Sequence, residues 1–65
     1  MLIEKKSILS GVVRVVNMPI TYDQYNDWKG GMLIQDAMPQ LTEDQREFMI
    51  SGITPKEWQE VYGDI

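Results

Sequence analysis

Leu41-Thr42-Glu43-Asp44-Gln45-Arg46-Glu47-Phe48-Met49-Ile50-Ser51-Gly52-Ile53-Thr54-Pro55-Lys56-Glu57-Trp58 contains two helix starts and one helix stop in a single run. Thr42 with Gln45 and Thr54 with Glu57 are capping boxes. The threonine hydroxyl accepts from a free amide of the first turn, and the Gln or Glu reaches back to the threonine amide. Pro55 follows its cap at the first helical position, where a missing N–H costs nothing. A third box, Thr21 with Gln24, lies upstream. Gly30, Gly52 and Gly63 are expected to close the three helices as left-handed residues.

Thr21 caps a helix over Tyr22–Lys29, with Ile20 and Tyr25 spaced as a hydrophobic staple. Gly30-Gly31 ends it. Met32–Met38 is an uncapped helical stretch with Leu33, Ile34, Ala37 and Met38 on one face, stopped by Pro39. Thr42 caps Glu43–Ser51, whose apolar residues are Phe48, Met49 and Ile50. Ile53 and Trp58 form a second staple, and Trp58, Val61 and Tyr62 are expected to be the buried stripe of the last helix.

The segment before the helices differs in kind. Residues 11–18 read Gly-Val-Val-Arg-Val-Val-Asn-Met, β-branched and ended by Pro19. Val12, Arg14, Val16 and Met18 share one face of a strand, and Val13, Val15 and Asn17 the other. Valine on both faces predicts that both are partly covered. Leu2-Ile3 and Ile8-Leu9 supply a second strand turning near Ser10-Gly11. Without that hairpin the valine strand has no partner in the chain and invites pairing with another copy. The expected fold is α+β, mostly α. It is one small domain with an N-terminal extension at 1–10, a strand or hairpin, and three to four short helices over 21–63.

Sixty-five residues make a thin core. With no cysteine there is no disulfide, and with neither Cys nor His no zinc cluster and no histidine base. Scaffolds of this size often gain burial by oligomerising, so a homo-oligomer, dimer or tetramer, is expected. Net charge is −4. Residues 1–32 carry four basic against three acidic side chains (+1), and residues 33–65 two against seven (−5). A chain without a basic stripe is not built for duplex nucleic acid. Lys5 and Lys6 precede an apolar run from Ile8 to Val16, but Arg14 interrupts it and no cleavage site follows. The run is too short to span a membrane, so a cytoplasmic protein without membrane contact is expected.

No catalytic constellation emerges, and no metal or cofactor site. Asp23 and Asp27 share a helix face and read as solvated charge. Glu43, Asp44 and Glu47 suit a helix N-terminus. Tyr22, Tyr25 and Trp28 form an aromatic ridge at i, i+3 and i+6. It is either core or a platform on which Tyr25 or Trp28 stacks a nucleobase. Phe48 and Trp58 read as core. Arg46 stands where a staple residue would, and either pairs with Glu43 or Asp36 or presents its fork to a phosphate. Arg14 has the same two readings.

The pattern Leu33-Ile34-Gln35-Asp36-Ala37-Met38-Pro39-Gln40-Leu41-Thr42, Arg46-Glu47-Phe48, Ser51-Gly52-Ile53-Thr54-Pro55 and Glu57-Trp58, preceded by Tyr25-x-x-Trp28, resembles a widespread family of very small bacteriophage proteins. The likeness covers about residues 18–63. Through that family the chain is similar to anti-CBASS sponge proteins, which assemble into oligomers and sequester the cyclic dinucleotide signals of antiphage immunity. The resemblance implies capture without hydrolysis, in the cytoplasm of an infected bacterium. Chemistry at the matching positions selects Tyr25 and Trp28 to stack on bases and Arg46 to face phosphate. Gln35 and Thr54 would then bond base edges or phosphate oxygens. The competing expectation is a small phage protein whose acidic C-terminal half binds and inhibits a host protein.

Overall fold

A computed structural model describes residues 1–63. Strands β1 (Leu2–Lys6) and β2 (Val13–Asn17) form an antiparallel hairpin. Four helices follow: α1 (Tyr22–Lys29), α2 (Ile34–Ala37), α3 (Glu43–Ser51) and α4 (Pro55–Tyr62). The fold is α+β and mostly α, as the sequence predicts. The N-terminal extension contributes β1.

The hairpin register sets Ile3 against Val16, Lys5 against Arg14 and Leu2 against Asn17. Ile3, Arg14 and Val16 thereby face the helices, while Leu2, Val13 and Val15 face outward. The turn is wider than expected. It runs from Ser7, whose N–H donates to the Val12 carbonyl at 2.9 Å, so Ile8 and Leu9 belong to the turn rather than to a strand. Both faces of β2 are expected to be partly covered, and the outer one is the less covered: Val13 and Val15 are 55% and 57% exposed because the helices pack on one side of the hairpin only.

The core lies between Ile3, Met18 and Ile20 of the N-terminal half and Met38, Phe48 and Met49 of the helices. Ile20 is buried and Tyr25 packs against this cluster, as a staple requires. The Thr21 and Thr42 boxes are complete, each with both reciprocal bonds. Gln24 does more than cap. Its amide pairs reciprocally with that of Gln40, at 2.7 and 3.0 Å, and Gln40 also donates to the Pro19 carbonyl, tying α1 to the segment before α3. α2 is one turn rather than the expected Met32–Met38, because Leu33 serves as its cap without a side-chain bond and Met38 leaves helical geometry.

Of the three closing glycines only Gly52 is left-handed, with φ +76°. Gly30 and Gly63 keep helical dihedrals, although the amides of all three glycines alike donate to the carbonyl four residues back. After α1 the positive φ falls one residue later, at Gly31. At Gly52 two demands coincide: a Cβ there would lie 2.6 Å from the Lys6 carbonyl oxygen and 2.9 Å from the Ser7 nitrogen. The end of α3 thus packs main chain to main chain on the end of β1, where the Ile8 N–H donates to the Ser51 carbonyl at 3.0 Å.

Helix α4 reverses its expected polarity. Trp58, Val61 and Tyr62 are exposed, and the residue it buries is Glu57. The third box is correspondingly half-made. Thr54 accepts from the Glu57 amide at 3.2 Å, but the Glu57 carboxylate turns inward to other donors instead of reaching back to the cap.

Candidate functional site

Five residues carry the sequence-based expectation of a nucleotide site, and the structure distributes them unequally. Tyr25 and Trp28 stand together on α1, half-buried against the core. Their ring centroids are 6.1 Å apart at 75°, an edge-to-face contact. The i, i+3 spacing on a helix brings them side by side. Tyr22 leaves the ridge and is 71% exposed. The Lys29 ammonium lies over both rings, 4.6 Å from the Trp28 centroid and 5.5 Å from that of Tyr25. Tyr25 and Lys29 stand at i and i+4, and that spacing is the signal by which sequence reasoning could have found the lysine.

This cluster has a definite chemical capacity. A cation over an exposed ring is worth roughly 0.5–1 kcal/mol, whereas a stacked base is worth ~1–3 kcal/mol. A stacked base would therefore outcompete the Lys29 ammonium for the ring face.

Gln35 is exposed on α2, the helix that packs against α1. Arg46 is half-buried on α3 and pairs with neither Glu43 nor Asp36. Its Nη2 donates instead to the Pro39 carbonyl at 3.3 Å, and its Nε–H is buried with no partner among the described residues. That Nε–H is enclosed, so any anion would have to be met by the terminal nitrogens of the fork. Thr54 is placed apart from these. It caps α4 and lines an apolar cleft of about 180 Å3 formed by Val16, Met18, Asp44, Gln45, Phe48 and Pro55. None of Tyr25, Trp28, Gln35 and Arg46 lines that cleft, so the structure does not gather the five residues into one pocket.

The most concentrated polar constellation is one the sequence did not reveal. Glu57, 3% exposed, accepts the hydroxyl hydrogens of Ser7 and Ser10 and both terminal nitrogens of Arg14 at 3.3 Å. Its carboxyl is held below the ordinary value of 4.5, chiefly by the Ser10 and Ser7 hydroxyls. Burial opposes them, and the Arg14 guanidinium adds its pull. Ser7 Oγ also accepts from the Leu9 and Ser10 amides, building the hairpin turn around the carboxylate. A carboxylate saturated with donors is a poor general base. Its role is to fasten α4 to the hairpin, and Arg14 is thereby assigned to the fold.

Among the described residues no group of His, Cys, Asp or Glu is arranged to hold a metal ion, and no helix is long and apolar enough to cross a membrane. Comparison of the chain with protein-family models, with curated proteins and with solved structures gives no match.

Proposed function

We propose that the protein is a phage-encoded binder that captures cyclic dinucleotide signals in the cytoplasm of an infected bacterium and holds them without cleavage. The observation that carries this reading is the Tyr25–Trp28 pair with Lys29 over its rings, an aromatic surface and a cation within one helical turn. Arg46, half-buried on α3 and held to the chain through Nη2 on the Pro39 carbonyl, would add a second phosphate partner through its terminal nitrogens. Gln35 extends the surface through α2, and Thr54 would enter it across an oligomer of two or four copies rather than within one chain. A composition without His or Cys agrees with sequestration rather than hydrolysis. Titration calorimetry against cyclic di- and trinucleotides tests the proposal, and recovery of intact nucleotide from the denatured complex separates capture from cleavage.

A second reading, inhibition of a host protein, is favoured by the outer face of α4. Trp58 and Tyr62 are exposed there with ring centroids 4.6 Å apart, beside exposed Val61. Paired exposed aromatics are typical of protein-binding surfaces. A pull-down from host lysate that recovers a stoichiometric protein, lost on Trp58→Ala, would support this reading over the first.

A further inference from the structure

The free edge of β2 has the features of a strand-pairing surface. The Met18 N–H donates to the Met1 carbonyl at 2.8 Å at one end of the hairpin, and the Ser7 N–H to the Val12 carbonyl at the other. Antiparallel ladders alternate between bonded and non-bonded pairs. The bonded pairs between these ends are therefore Ile3 with Val16 and Lys5 with Arg14. The main-chain groups of Val13, Val15 and Asn17 consequently point away from β1, and among the described residues no strand lies beyond them.

Edge strands that stay solitary carry proline, a bulge, or an outward lysine. Val13–Asn17 has none of these. Its single charge, Arg14, is turned to the helical side and bound to Glu57, so nothing on the strand repels an incoming one. The outward side chains of Val13 and Val15 are more than half exposed. The opposite edge of the hairpin differs, because β1 packs against α3 and its end abuts Gly52.

We infer that β2 pairs antiparallel with β2 of a second copy of this chain, centred on Val15, to make a continuous four-stranded sheet. The register follows from the outward groups. Centring on Val15 sets Val15 against Val15 and Val13 against Asn17 of the other copy, and satisfies every outward N–H and C=O of the three residues. Centring on Arg14 would oppose the two guanidinium groups and leave Asn17 unpaired. Centring on Val16 would leave Val13 unpaired. The favoured register sets Arg14 opposite Val16, separating the like charges, and places Val13 and Val15 of both copies in one apolar strip. A two-fold contact of this kind is self-complementary. It does not depend on the nucleotide proposal, and its test uses no nucleotide.

The test is the mass of the full chain by sedimentation equilibrium, with two variants. Val15→Lys sets like charges face to face across the two-fold, while in a single copy the new side chain points to solvent. Val15→Pro removes an outward N–H without touching the β1–β2 ladder. Expected are a dimer, or a multiple of it, for the native chain and halved mass for both variants, with unchanged circular dichroism. Val15→Cys should cross-link under oxidation, because bonded antiparallel pairs hold Cα atoms about 5.5 Å apart, within disulfide reach. Leu2→Cys, exposed on the other strand, should not. A monomeric native chain overturns the inference and leaves the edge to a foreign strand. So does an assembly whose mass neither Val15→Lys nor Val15→Pro changes.

Discussion

Glu57 receives the Arg14 guanidinium at 3.3 Å, joining the last helix to the middle of the hairpin. With Ser7 and Ser10 on the same carboxylate, one buried charge fastens segments from opposite ends of the chain. Removing a partner from a buried ionic cluster is far more damaging than its net worth, since the remaining charge is stranded.

This cluster makes stability acid-sensitive. The folded-state pKa of Glu57 lies below its ordinary value of 4.5. The unfolded chain therefore binds the proton first, and the contribution is complete above about pH 4.5 and is lost as pH falls through the lower folded value. Melting temperature should decline from pH 5 to pH 3. Glu57→Gln should lower it at pH 7 and flatten that decline. An unchanged slope in the variant would assign the acid sensitivity to other carboxylates.

Gly52 should be irreplaceable. Alanine there meets a left-handed φ, costing about 1–2 kcal/mol, and in addition a carbonyl oxygen 2.6 Å from its Cβ. Gly31 also has positive φ, but nothing lies within 4 Å of its Cβ position. Urea titration should find Gly52→Ala costing about 2 kcal/mol or more, and clearly more than Gly31→Ala.

Phe48 and Trp58 should part company. Both read as core in the sequence, but Phe48 is 2% exposed and Trp58 42%. Phe48→Ala should cost about 3–5 kcal/mol, comparable to the whole stability of so short a chain, and leave it largely unfolded at 25 °C. Trp58→Ala should leave cooperative melting intact. Circular dichroism melts of the two variants check this.

Local signals were the legible part of this fold. The capping threonines, Pro55, Gly52 and the valine strand act within a few residues, and each stands where its chemistry predicts. The misreadings arose where a distant partner decides. Glu57 fits a capping box locally, but Ser7, Ser10 and Arg14 offer more donors than the Thr54 amide. Once Glu57 is buried, the helical period places Trp58 and Tyr62 outside. Of the candidate site, the Tyr25–Trp28 pair was legible from its spacing. Lys29 over it, and the placement of Thr54 on a separate cleft, depend on packing that spacing alone does not encode.

The proposed base-stacking surface on α1 is checked by calorimetric titration of the native chain and of Trp28→Leu with a panel of cyclic di- and trinucleotides. Leucine keeps apolar contact with the core but removes the ring face. Expected is saturable binding of at least one cyclic dinucleotide, weakened about tenfold or more in Trp28→Leu, with both proteins melting cooperatively. Arg46→Ala should likewise weaken binding with little change in melting temperature. Absence of binding across the panel by the folded native chain, or equal affinity in Trp28→Leu, would contradict it.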